Sequence, residues 1–182
     1  MSKFITFTLV SCVLILVSCS SSTNGFREVS WGSSLDLVKK KEKERGNKDF
    51  EEKIDKISDE NIIELWYDKI IISGQKTESL EYEFKKEFNG KIYDEPVLVE
   101  GTYYFDHNNF DEEVLLKDLK SKYGKGQKKI NYMDDPYYEW ISGKTQIQYW
   151  PDPYDPFLSY NHISEDSHPE KDSNENGEDT GL

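Results

Sequence analysis

Alanine is absent from this chain of 182 residues, and the omission limits what its core can be made of. Alanine is the strongest helix former, so every helix here must be built from residues with a weaker preference. Aromatic residues make up 14% of the chain against a hydrophobic total of only 35%. Tyr, Phe and Trp must therefore supply much of the buried area, and such residues favour pleated, half-buried surfaces. The composition tilts the fold toward strands.

The strand signals fall in two groups. Ile62 to Tyr67 and Ile70 to Ser73 flank Asp68-Lys69 at hairpin spacing, and Leu80 to Lys85 alternates strictly between apolar and charged, which calls for one buried and one wet face. Asn89-Gly90 is the strongest local turn signal, with Lys91 to Tyr93 returning from it. Val97 to Phe105 follows, its Val99, Gly101, Tyr103 and Phe105 sharing one face. In the second group, Tyr137 to Ile141 and Lys144 to Tyr149 are separated by Ser142-Gly143, and Phe157 to Asn161 is the last strand.

Each group is preceded by a helix. Ser33 with Asp36 reads as a cap, Leu35 and Val38 face inward and Gly46 is the stop. Lys39 to Arg45 is almost entirely charged and reads as a solvated face. Asn109 with Glu112 caps the second helix, Phe110, Val114, Leu115, Leu119 and Tyr123 form its apolar stripe, and Gly124 ends it. The predicted class is α+β, an antiparallel sheet with two helices on one face, in an order compatible with two helix-plus-strands repeats. Residues 26–163 suffice for a single domain. Residues 164–182 are acidic and polar, with no large apolar residue before Leu182, the composition of a disordered tail.

The chain begins differently. Lys3 is followed by the uncharged run Phe4 to Ser18, the layout of a secretory signal and shorter than the roughly 20 apolar residues of a spanning helix. Leu16-Val17-Ser18-Cys19 resembles the lipobox of bacterial lipoproteins, which implies removal of residues 1–18 and diacylglycerol on the Cys19 thiol. Leu9-Val10-Ser11-Cys12 repeats the four letters, but cutting there would leave Val13 to Val17 on the mature chain. Cys19 is followed by Ser20 to Gly25, so residues 19–25 read as a lipidated cysteine and a flexible tether. Ser20 in place of Asp, by resemblance to the sorting rule of enteric bacteria, favours the outer membrane.

The formal net charge is −13. Loss of Lys3 with the signal leaves 22 basic against 36 acidic residues, or −14. Nucleic acid needs a basic footprint that this chain lacks, and anionic lipid would repel the domain. Lipid on Cys19 is the predicted membrane contact. With Cys12 in the signal and Cys19 acylated, no thiol remains for a disulfide or a metal.

A second resemblance rests on Phe26-Arg27-x-x-x-Trp31-Gly32-x-Ser34, on Tyr82 and Phe84, and on Tyr123-Gly124 ahead of Trp140 and Ile147. This set is similar to exported bacterial α+β domains, the small helix-on-sheet repeats of outer-membrane-assembly lipoproteins and of β-lactamase-inhibitor-like proteins. The resemblance implies a role in binding another protein.

Residues that carry chemistry are few. The sequence has no Gly-x-Ser-x-Gly and no phosphate loop, and His107, His162 and His168 have no partner at metal-ligand spacing. Asp106-His107-Asn108-Asn109 lacks the glycine and distal glutamate of a calcium loop and reads as a strand-to-helix turn. No cofactor is expected. Asp134-Asp135-Pro136-Tyr137 and Asp152-Pro153-Tyr154-Asp155-Pro156 place carboxylates beside aromatics; these could serve a glycosidase, but Asp-Pro is also a turn initiator. Trp150, Tyr154 and Phe157 are the candidate binding residues, because aromatics in a rigid proline-rich loop can offer a flat platform to a sugar ring or a partner's side chain. In the opposing reading Trp150 and Phe157 close the edge of the core, where Trp31, Trp66 and Trp140 are also expected. The expected function is noncatalytic contact with an envelope protein; carbohydrate or peptidoglycan binding through Trp150 to Phe157 is the alternative, and a carboxylate enzyme the third.

Overall fold

A computed structural model describes residues 24–55 and 62–164. The expected signal, both cysteines and the expected tail beyond Ser164 lie outside the described residues. Two short strands, β1 (Gly25–Phe26) and β2 (Val29–Ser30), precede α1 (Leu35–Glu44). Then come β3 (Glu51–Asp55), β4 (Ile62–Asp68), β5 (Ile71–Ile72), β6 (Gln75–Phe88) and β7 (Lys91–Phe105). After α2 (Glu112–Tyr123) follow β8 (Gln127–Ile130), β9 (Pro136–Ser142), β10 (Thr145–Trp150) and β11 (Phe157–His162). The fold is α+β. The main sheet runs β3-β4-β6-β7-β11-β10-β9-β8 with antiparallel pairing throughout. Each helix thus leads into a meander, and the two meanders join through their last strands, β7 and β11.

Local sequence explains most of the elements, with shifts at their ends. The cap of α1 is Ser34, whose Oγ accepts from the Leu37 amide at 3.4 Å. Ser33, the expected cap, is held by β7 instead, its carbonyl accepting from the Leu98 amide at 2.9 Å. Asp111 caps α2 at 3.1 Å from the Val114 amide, while Asn109 donates its side-chain amide to Asp106 at 2.7 Å. On α2, Leu115 and Leu119 are buried and Leu116 packs beside them, whereas Val114 is exposed.

Turn chemistry decides the hairpins. Asn89 and Gly90 both have positive φ, as a two-residue hairpin turn requires. The expected pairing of Ile62–Tyr67 with Ile70–Ser73 does not form. Tyr67 pairs with Leu80 and Ile71 with Lys76, because the chain reverses at Ser73-Gly74, also both at positive φ. Asp68-Lys69 lies inside the arm. A register shift places Glu83 opposite Glu100 but Phe84 opposite Leu98, so Val99 is an extra residue and Leu98 takes its place in the core.

The registers align Leu65, Tyr82, Gly101, Tyr160, Ile147 and Trp140 in a row on one face. Both helices lie on this face. Tyr82 donates its hydroxyl to Glu42 of α1 at 2.6 Å, and Trp140 donates to the Gly124 carbonyl, at the end of α2, at 3.0 Å. Phe26 enters above Gly101, with ring centroids 5.0–5.3 Å from Tyr82, Tyr103 and Tyr160. Behind it Arg27 donates to both carboxylate oxygens of the fully buried Glu42, at 2.9 and 3.1 Å, and Asn47 and Arg45 add two more donors. Burial opposes charge on Glu42, but hydrogen bonds from Arg27 and Tyr82 hold its pKa below the usual carboxylate range.

Candidate functional site

Among the described residues, neither helix lies on the opposite face of the sheet. Its residues alternate with those of the core, so Trp66 faces it between the buried Leu65 and Tyr67. The expectation of a core residue at Trp66 is corrected by this alternation, which was present in the sequence as Leu-Trp-Tyr. Trp140 is in the core as expected, and Trp31 packs at its margin with its indole donating to Thr145 at 2.9 Å.

Trp66 opens a ladder of five rings that spans six strands, from β4 across β6 to β9. Its centroid is 5.6 Å from Tyr104, Tyr104 is 6.1 Å from Phe157, Phe157 is 5.8 Å from Trp150, and Trp150 is 4.4 Å from Tyr137. The sheet order positions them, because Tyr104 pairs with Phe157 and Phe157 with Trp150 in register. Trp150 and Phe157 are thus brought together, but on the helix-free face and not at the edge of the core. The planes of Trp150 and Tyr137 differ by 11°, and those of Trp150 and Phe157 by 16°. Tyr137 and Phe157 both stack on Trp150, while Tyr104 and Phe157 are tilted by 38°. Lys53 closes the far end, its Nζ 4.6 Å from the Trp66 ring centre.

Tyr154 stands apart, 73% exposed, in the loop between β10 and β11. That loop is a built turn: Asp152 Oδ1 accepts from the amides of Tyr154 at 2.8 Å and Asp155 at 2.9 Å, and the Pro156 carbonyl accepts from the Phe105 amide at 2.9 Å. Hydrogen bonds from the Asp155 and Tyr154 amides lower the Asp152 pKa. Asp106 likewise accepts from Asn108 and Asn109 and forms the turn into α2.

Among the described residues, three clefts border the loop. One of 610 Å³ lies between Trp66, Tyr104, Phe157 and the loop carboxylates Asp152 and Asp155. A second, of 370 Å³, lies across Phe157 and is walled by Trp150, Pro136, Pro151 and Pro153. The third, of 880 Å³, reaches from Tyr154 and Asp155 to His107 and includes Lys69 and Lys76.

Beside the ladder is a cluster that sequence reading missed. Glu64, Glu83 and Glu100 are direct cross-strand neighbours, and Glu81, two residues before Glu83 on β6, is diagonal to Glu64 and Glu100. Like charges placed opposite one another repel. Burial, then the charges of Glu64, Glu100 and Glu83, push the Glu81 carboxyl up to about 7, against the hydrogen bond it accepts from Tyr104 at 2.8 Å. Burial and Glu83 raise Glu100. The signal was the even spacing Glu81-x-Glu83 within an alternating strand, but the third and fourth members come from other strands. None of these four lines any of the three clefts. Among the described residues no group of three or more His, Cys, Asp and Glu is arranged to hold a metal ion.

No family model, curated protein or solved structure matches the chain.

Proposed function

We propose that this protein is a noncatalytic, lipid-anchored envelope lipoprotein that binds another envelope protein through the helix-free face of its sheet. The observation that carries the reading is the aromatic ladder from Trp66 to Tyr137, a row of large rings on the side of the sheet opposite the two described helices. Aromatic residues at the centre of a surface are the typical anchors of protein contacts. Acid-base chemistry finds little support at the clefts. Asp152 is held as a carboxylate by two amides, and the carboxyls with raised proton affinity, Glu81 and Glu100, are engaged by Tyr104 and Thr102 and line none of them. The anchor on Cys19 gives the domain its address, on the outer membrane by preference, without an apolar membrane-binding surface.

Carbohydrate binding is the second reading, favoured by the exposed ring of Tyr154 on a proline-rich turn. Trp150 adds little to it, because its ring faces are stacked on Tyr137 and Phe157.

The test is a photo-crosslinking amino acid at position 154 in intact cells, compared with position 36 on the opposite side of the domain. Position 154 should capture one envelope protein, and Trp150→Ala should abolish the capture while position 36 stays silent. Absence of capture, with peptidoglycan fragments changing tryptophan fluorescence, would replace protein contact by the glycan reading.

A further inference from the structure

We infer that the 610 Å³ cleft beside Phe157 binds an extended polypeptide segment bearing lysine or arginine; the inference rests on the protein-contact reading and names its partner's chemistry. The cleft walls are apolar, formed by Trp66, Tyr104 and Phe157. Its rim carries four carboxylates, Asp68, Glu78, Asp152 and Asp155, and no basic residue. Among the described residues none of these four is in an ion pair, whereas Glu42, Glu52, Glu83 and Glu139 each have a basic partner. Four unpaired carboxylates around one cavity repel each other, and cations from a partner would relieve that repulsion.

The wall suits the rest of such a side chain. Lysine and arginine lay their methylene stems along apolar surface and keep the charged head outside it. The end of the ladder already accepts a cation, the Lys53 Nζ lying 4.6 Å from the centre of the Trp66 ring. An extended segment is indicated over a single amine because Phe157 and Asp152 also line the 370 Å³ cleft, so the two clefts adjoin at these residues and a segment longer than one side chain can reach both.

The test measures binding of an end-blocked octalysine peptide to the full chain in neutral detergent micelles by titration calorimetry, with end-blocked lysine alone as the short probe. The rim variant Asp68→Asn/Glu78→Gln/Asp155→Asn leaves the turn-forming Asp152 in place. The control variant Asp36→Asn/Glu44→Gln/Asp118→Asn removes equal charge from the two helices. The inference requires that the rim variant weaken octalysine at least about tenfold and the control less than about twofold, with the single lysine binding far more weakly. Equal losses in both variants would reduce the binding to net charge and overturn the site, as would no binding of octalysine. Comparable binding of the single lysine would overturn the extended segment. If octalysine fails while position 154 still captures an envelope protein, the basic partner is wrong and the protein-contact reading stands.

Discussion

The ring of Phe26 occupies the space that a side chain on Gly101 would need: a Cβ there would overlap Cδ1 and Cε1 of the phenyl group. Gly101 sits on β7, one of the two strands through which the meanders join, and its partners in register are Tyr82 and Tyr160. The missing side chain lets Phe26 reach the sheet between three tyrosine rings. The N-terminal strands therefore complete the core that both helix-plus-strands units share.

Gly101→Ala should be costly for that reason. Overpacking of this kind typically costs about 1–3 kcal/mol. The midpoint of urea unfolding should fall with the slope unchanged. Adding Phe26→Leu to Gly101→Ala should recover part of the loss, since the smaller side chain leaves room for the methyl. A pair of losses that simply add would show that the two positions do not meet as described.

Arg27→Ala should destabilise more than a surface charge deletion. It leaves the fully buried Glu42 with Tyr82, Arg45 and Asn47 but without its two-pronged partner. Breaking a buried pair from one side costs about 3–5 kcal/mol, and replacing both partners by apolar groups costs much less. Arg27→Met/Glu42→Leu should therefore be more stable than Arg27→Ala in the same urea titration.

Stability should depend on Glu81 between pH 8 and 5. Its folded-state pKa, about 7, lies above the ordinary 4.5, so the folded chain takes up the proton first as pH falls. The contribution is thus fully present below 4.5 and is lost as pH rises through 7. Glu42 acts oppositely, because its lowered pKa gives stability that disappears in acid below the ordinary carboxylate range. His162, lowered by burial and Lys144, also loses stability as pH falls. The diagnostic is therefore a difference: Glu81→Gln should melt above the wild type at pH 8, with the gap closing by pH 5. A constant gap would show that Glu81 does not titrate in this range.

Cys19→Ser should abolish incorporation of labelled palmitate and leave uncleaved precursor, whereas Cys12→Ser should not. Labelling that depends on Cys12 instead would move the cleavage site seven residues toward the N-terminus.

Sequence by itself determined the features that depend on near neighbours. The absence of alanine and the weight of aromatics favoured strands, Asn89-Gly90 fixed its hairpin, and the apolar spacing of Leu115 and Leu119 set the buried stripe of α2. These are energies of one turn or one alternation, and the residues responsible lie within a few positions. Caps moved by one or two residues where another contact claimed the expected side chain or backbone group, as β7 claimed Ser33 and Asp106 claimed Asn109. Tertiary structure alone decided the register between strands far apart in the chain. Trp66 and Tyr137 are opposite ends of one ladder only because β4 and β9 are tied through β6, β7, β11 and β10. The glutamate row forms for the same reason: each strand contributes a residue that is unremarkable alone, and antiparallel hydrogen bonding sets them side by side on the face the helices leave open.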